Sequence, residues 1–259
     1  MIEGILVRKT PYQDRHLIGD LILRNGKKQG VIFFGGLGGG KKAKPSNLEI
    51  GRLYNVTSNS STNKKNKLIQ TKEWQVKWTH ERIRYDYWSF LLLNFICEIC
   101  SQVAIPEEDF NDNSDLQYEG LFNVLSNGVF FLENNKERNQ NLNFLIFFLG
   151  KFMIDFGIFP QLDCCIDCEK PFAKYQPCLF DVEKNGFLCN QCNPKNDFSV
   201  SHGPLLFLLS LAKSTTWKNY PFVELKEVKD NEQLKTLTQY LFFQLNISSE
   251  NLKSLKSFY

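Results

Sequence analysis

Two cysteine pairs constrain this chain more than any other feature. Cys165 and Cys168 form one C-x2-C, Cys189 and Cys192 form another, and twenty residues separate them. A C-x2-C turn lets both sulfurs face one ion, and two such turns complete a tetrahedron. The spacing therefore predicts a four-thiolate zinc site. Asn185-Gly186 lies between Phe180-Asp181-Val182 and Phe187-Leu188, which predicts a hairpin with a type I′ turn. Together these give a zinc ribbon over residues 159–195. Disulfides, a redox pair or plain buried thiols could use the same cysteines, but the double pair is far more specific than either pair alone. Cys164 abuts Cys165 and Cys178 lies between the pairs, so either could substitute for a ligand; the x2 spacing favours Cys165. Four protein ligands leave no open coordination position, so the ion would be structural and not catalytic.

The rest of the chain must carry any binding chemistry, and its charge is unevenly spread. Residues 1–80 hold 15 Lys/Arg against 5 Asp/Glu, whereas residues 81–259 hold 16 against 23. A basic front on an acidic back points to a polyanionic partner for the front. The start, Met1-Ile2-Glu3-Gly4-Ile5, has no basic stretch before a long apolar run, and the densest apolar runs are too short to span a bilayer. A cytoplasmic protein with reduced thiols and no membrane partner is expected.

Residues 1–80 read as five short strands. Ile2–Val7, Leu17–Leu23, Val31–Phe34, Leu53–Val56 and Leu68–Trp78 are separated by polar segments, and Asn25-Gly26 marks a hairpin. Five strands in so short a span fit a small closed barrel of the OB-fold type, with an open sandwich as the alternative. From about Glu81 the apolar period becomes helical. Tyr85, Trp88, Leu92, Phe95, Ile96, Ile99 and Val103 mark one helix face, and further helices are expected over 114–131, 141–156, 203–217 and 230–245. The expected fold is α+β and multidomain: an OB-fold barrel over 1–80, then a helical domain over 81–259 with the four-cysteine ribbon inserted.

Gly35–Lys42 follows a strand and fits G-x4-G-K. A P-loop continues with Ser or Thr and enters a helix; here Lys42 and Pro45 oppose both. The stretch reads better as a phosphate-contacting loop carrying Lys41, Lys42 and Lys44. With Arg8, Arg24, Lys27 and Lys28 these are the candidate DNA contacts, and Arg52, Lys64, Lys65 and Lys67 come second. Cys97 and Cys100 lie in an apolar helical run and read as core. His16, His80 and His202 stand alone, so no catalytic set is assembled. Trp74, Trp78, Tyr85, Tyr87 and Trp88 are read as core or junction residues, with base stacking the alternative. An RNA-binding or interaction module built on the ribbon, or an NTPase using the glycine loop, are the competing readings.

In order and spacing the whole chain resembles the RecO family of bacterial recombination mediators. The resemblance rests on Pro160-x-Leu162-x-x-Cys165-x-x-Cys168, Gly186-x-Leu188-Cys189-x-x-Cys192, and Leu252-Lys253-Ser254 with Phe258 near the end. The family often has glycine where this chain has Glu169, and a double glycine where it has Asn185-Gly186. The resemblance implies a protein that is not an enzyme. It implies binding to single- and double-stranded DNA and annealing of complementary strands. It also implies partnership with RecR and the single-stranded-DNA-binding protein, and loading of RecA.

Overall fold

The computed structural model describes residues 1–38, 48–58, 68–107, 119–134, 141–173, 176–193, 201–220, 231–248, 250 and 252–257. Five strands, β1 (Ile2–Tyr12), β2 (His16–Leu23), β3 (Lys28–Phe33), β4 (Leu53–Ser58) and β5 (Leu68–Trp78), form a closed barrel in the order β1-β2-β3-β5-β4. All neighbouring pairs are antiparallel except β3 with β5. Closure requires β1 to serve two partners. Its first residues, Ile2–Ile5, pair with β4, and Gly4–Tyr12 pair with β2. A register shift between Leu6 and Arg8 inserts one residue there, and such a bulge bends a strand and raises its twist.

Alternation does the rest. Leu17, Leu21 and Leu23 of β2 point inward with Leu6, Val31, Phe33, Tyr54 and Val56. Gly19 occupies an inward position because a side chain there would meet Leu6 and Phe33 below 3 Å. The β2–β3 hairpin falls where Asn25-Gly26 predicts it. Gly26 N–H donates to Leu23 O, Leu23 N–H donates to Lys27 O, and Gly26 alone is left-handed at φ 79°. That is a turn followed by a glycine bulge, with Asn25 Oδ1 accepting from Lys27 N–H.

The chain divides into two compact units, Met1–Asn134 and Asn135–Tyr259. The change from strand to helix comes just after residue 80, as the periodicity indicates, yet the first unit keeps two helices with the barrel. These are α1 (Tyr87–Val103) and α2 (Glu119–Asn134). Asp86 caps α1 by accepting from Ser89 N–H at 2.9 Å. The cap explains one departure from expectation: Tyr85 precedes the helix and is 84% exposed, and Trp88 lies in its first turn and is 47% exposed. Leu92, Phe95, Ile96 and Ile99 are buried as the period requires. Cys97 and Cys100 are buried beside them, and burial raises both thiols well above their ordinary value.

In the second unit, α3 (Asn141–Asp155), α4 (Gly203–Ser214) and α5 (Asn231–Leu245) pack together with a small sheet, β6 (Cys178–Asp181) and β7 (Gly186–Cys189). Phe144, Phe147, Phe148 and Phe152 of α3 are fully buried, and the Phe147 ring stacks on Tyr220 at 4.0 Å. Gly150 lets α3 approach α4, since a Cβ there would lie 2.5 Å from that of Ala212. α3 ends at Gly157, left-handed at φ 67°.

Glu133, near the end of α2, accepts from the backbone N–H groups of Glu81, Arg82 and Ile83 at 2.9–3.2 Å. Burial alone would raise its carboxyl, but these bonds, with His80 nearby, outweigh that and hold it below the ordinary value. Replacing Glu133 with alanine is expected to cost about 1 kcal/mol, given its partial exposure. That corresponds to a few degrees of melting temperature. Because the folded-state value is depressed, the loss is full above the ordinary carboxylate range and fades as pH falls through the folded value. Thermal scans of both proteins from pH 7 downward check the convergence.

Candidate metal centre and nucleic-acid interface

Two backbone knuckles of similar design bring the four cysteines together. In the first, Cys165 N–H donates to Lys170 O and Glu169 N–H donates to Cys165 O. In the second, Cys192 and Asn193 N–H both donate to Cys189 O. Lys170 Nζ donates to Gln191 Oε1 at 2.8 Å and so ties the knuckles to each other. The Sγ atoms of Cys165, Cys168, Cys189 and Cys192 all lie within 4.8 Å of one another. Metal–sulfur bonds of about 2.3 Å in a tetrahedron separate the sulfurs by about 3.8 Å; Cys168 Sγ and Cys189 Sγ are 3.7 Å apart. The donor set and its size both fit a divalent ion held by thiolates.

The four thiols do not ionise alike. Burial works against ionising Cys165, but hydrogen bonds led by the N–H groups of Cys189, Cys168 and Asp167 bring its thiol down to about 6. The Cys189 N–H lies 3.3 Å from that sulfur. Hydrogen bonding to Cys168, with burial, pushes the Cys192 thiol up to about 12. Despite the backbone N–H of Lys170, burial and neighbouring thiols likewise raise Cys168, so without a cation the set as a whole favours keeping protons that metal binding would displace.

The two spare cysteines fall outside the cluster. Cys164 accepts from Gln161 Nε2 at 3.1 Å. Cys178 is buried in β6 opposite Cys189, and burial raises its thiol to about 12. The hairpin that carries the third ligand departs from the expected two-residue turn. Residues 182–185 form the loop, because Asp181 pairs with Gly186 and Asp181 Oδ1 accepts from Glu183 and Lys184 N–H. Asn185 is left-handed at φ 58°. Gly186 is required by space: a Cβ there would meet Ile166 Cγ2 at 2.5 Å. The hairpin is seated on the helices of its unit. His202 N–H donates to Cys178 O and His202 Nδ1 accepts from Phe180 N–H, both at 2.8 Å. Tyr240 Oη donates to Ile158 O at 2.5 Å and also contacts Asn185 Oδ1.

The cations predicted to contact DNA fall into separate groups. Lys28 Nζ donates to Ser101 O at 2.7 Å, at the C-terminal end of α1, and Lys28 N–H donates to Ile105 O. Lys27 pairs with Glu107 at 3.8 Å. Arg24 pairs with Glu3 and covers the Phe122 ring of α2 at 4.9 Å. It also lines a cavity of about 260 Å³ with Trp78, Phe122 and Phe130. These three residues therefore already serve the junction of barrel and helices. Arg52, a second-rank candidate, is buried and pairs with Glu49 at 2.8 Å. Arg8 is exposed on β1 opposite Asp20. Burial raises the Asp20 carboxyl against the pull of Lys28 and Arg8. Lys41, Lys42, Lys44, Lys64, Lys65 and Lys67 lie outside the described residues. The described start of the glycine loop makes two successive turns, with Gly35 and Gly38 left-handed.

Sequence reasoning passed over Lys9, whose Nζ donates to Leu48 O at 3.1 Å, and the exposed Tyr12, Arg15 and Phe34. It also passed over the backbone of Glu169, which is left-handed at φ 57°. A non-glycine residue pays about 1 kcal/mol for that conformation, partly offset by glycine's greater freedom in the unfolded chain. Glu169→Gly is expected to stabilise the protein by about 0.5 kcal/mol, read as a higher denaturant midpoint at unchanged slope.

Comparison with known proteins places this arrangement. The family model described as the C-terminal part of recombination protein O matches residues 84–255, about two thirds of the chain. The DNA repair protein RecO of Leptospira biflexa serovar Patoc is 25% identical over 189 residues, covering 73% of this chain and 69% of that protein. The DNA repair protein RecO of Syntrophus aciditrophicus is 23% identical over 191 residues, covering 73% and 68%. The family match takes in α1, α2 and the second unit as far as Leu255, with its four-cysteine centre, and the chain belongs to the RecO family.

Proposed function

We propose that this protein is a DNA-repair recombination mediator that binds DNA through its barrel and turns over no substrate. The observation that carries the reading is a closed five-stranded barrel with a strong excess of cations, in a chain whose relatives are named DNA repair proteins. Barrels of this kind bind single strands in a groove across strands two and three. Cations on such a surface neutralise phosphates and release counterions. On this reading Arg8 and the loop lysines 41, 42 and 44 make the principal phosphate contacts. Arg24, Lys27 and Lys28 contribute less, because each already holds an intramolecular partner.

Both single and double strands are bound, and complementary strands are annealed. The barrel screens phosphate repulsion while leaving the pairing edges of the bases free. With RecR, the protein helps load RecA onto DNA coated with the single-stranded-DNA-binding protein. No helix among the described residues is long and apolar enough to cross a membrane, and we place the protein in the cytoplasm with the nucleoid. The four-cysteine centre holds structural zinc through Cys165, Cys168, Cys189 and Cys192. Zinc supplies a fixed tetrahedral tie between the knuckles and no open position for reaction.

Strand annealing on DNA coated with the single-strand-binding protein, with and without RecR, tests the function. Annealing that RecR modulates is expected, and a protein that neither binds nor anneals DNA would refute the reading. Replacing Lys41, Lys42 and Lys44 with alanine is expected to flatten the dependence of log affinity on log salt by up to about 0.7 per lost contact for single strands. Lys28→Ala is expected to lower stability and leave that slope nearly unchanged. Metal analysis of freshly purified reduced protein is expected to give about one zinc per chain. Cys165→Ser is expected to lose the metal and lower stability or solubility.

A further inference from the structure

The pairing of the first three strands builds a row of rings on the outer face of the barrel. Tyr12 lies directly opposite His16 in the β1–β2 ladder. Leu17 pairs with Phe33, so the next residues outward bring His16 beside Phe34. The His16 and Phe34 rings meet edge to face at 5.0 Å and 79°. Tyr12, His16 and Phe34 thus cross three strands in one line, at about 4.8 Å per strand. Their neighbours in register, Leu17 and Phe33, point into the core, so alternation turns these three outward.

This row concentrates the exposed apolar surface of the barrel. Tyr12 is 37% exposed, Phe34 41% and the adjacent Leu37 42%, and among the described barrel residues the other exposed large apolar side chains are Met1 and Val76. The row is held in place by backbone. Gly35 N–H donates to His16 Nδ1 at 3.0 Å, and Leu37 N–H donates to Arg15 O at 3.2 Å. Charged groups flank it: Arg15 is exposed in the β1–β2 turn beside Asp14, and Arg8 is exposed on β1 beyond the row, opposite Asp20. Gly36 and Leu48, described residues on either side of 39–47, come together here beside Leu17, and Leu48 O accepts from Lys9.

Rings next to cations, on a barrel whose residues 1–80 carry 15 Lys/Arg against 5 Asp/Glu, suit one ligand chemistry: planar bases attached to an anionic backbone. An apolar protein surface would find the rings but not a use for the surrounding charge. We propose that Tyr12, His16 and Phe34 form a stacking platform for unpaired bases, so that this end of the barrel distinguishes a single strand from a duplex. The inference rests on the DNA-binding reading above and names the part of the site that selects strandedness. Stacking engages the face of a base and leaves its pairing edge outward, as annealing requires. A duplex offers its backbone but buries its base faces, so it gains the cations and not the rings.

The test uses the full-length protein, with binding of oligothymidylate and of a blunt duplex of equal length measured over a range of salt. Tyr12→Ala and Phe34→Ala are each expected to weaken oligothymidylate binding roughly tenfold. Duplex affinity should stay within about twofold and the salt slope should not change. Tyr12→Phe, which keeps the ring, should bind as the parent does. Oligomers carrying 5-iodouracil should cross-link to Tyr12, His16 or Phe34. Equal losses for both probes, no loss for either, or cross-links confined to other residues would overturn the platform while leaving DNA binding intact. A parent protein that binds neither probe would overturn the DNA-binding reading itself. Circular dichroism of each variant separates loss of contact from loss of fold.

Discussion

A cation that already satisfies a buried carbonyl is poorly placed to satisfy a phosphate, and Lys28 shows how far that constraint organises the first unit. Its ammonium ends α1 at Ser101, where the helix dipole is negative, and its N–H takes Ile105 O. Lys27 and Arg24 add pairs with Glu107 and Glu3 at the same end of the barrel. That end is committed to holding helices. The other end of β2 keeps Arg15, His16 and the exposed aromatic residues, and from it the lysine-bearing loop departs. The barrel is therefore polar in a functional sense: one rim is structural and the opposite rim is available to ligand.

The four-cysteine centre answers a different physical problem. Two strands of four residues are too short to hold themselves together in water. Here the hairpin gains His202 along β6, Tyr240 at its turn, and two knuckles joined through sulfur. A metal ion held by Cys165, Cys168, Cys189 and Cys192 would displace protons from the sulfurs, so its contribution would be electrostatic as well as geometric. Four thiolates would leave a bound ion no place for a reacting group, and the proposed reading assigns binding to the barrel.

Much of this was legible in the chain, because spacing is a local property. The clustering of the four cysteines, the barrel strands and both hairpin positions follow from cysteine intervals, apolar periods and Asn-Gly pairs. The turn types did not follow. Asn-Gly signals reversal, but at residues 25–26 a glycine bulge forms, and at 185–186 the Asp181 side chain takes over the turn. The roles of the cations were also out of reach, since whether Lys28 meets solvent or Ser101 depends on a contact 73 residues away. The ring row was hidden for a related reason. Which of Tyr12 and Pro11 faces outward depends on the bulge at Leu6–Arg8, and a shift of one residue exchanges the two faces.

Barrel closure also limits how any partner protein can be recognised. A closed sheet has little free edge, and the described overhang of β1 carries Arg8, Lys9 and Pro11, residues that discourage the pairing of a further strand. The small sheet is guarded too. Ile166 N–H takes Phe187 O along β7, and His202 occupies both Cys178 O and Phe180 N–H along β6. Strand addition is thus discouraged at these described edges. A partner that reads side chains, loops or helix surfaces meets none of these guards, and copies of the chain brought close together find the same obstacles to joining through these edges.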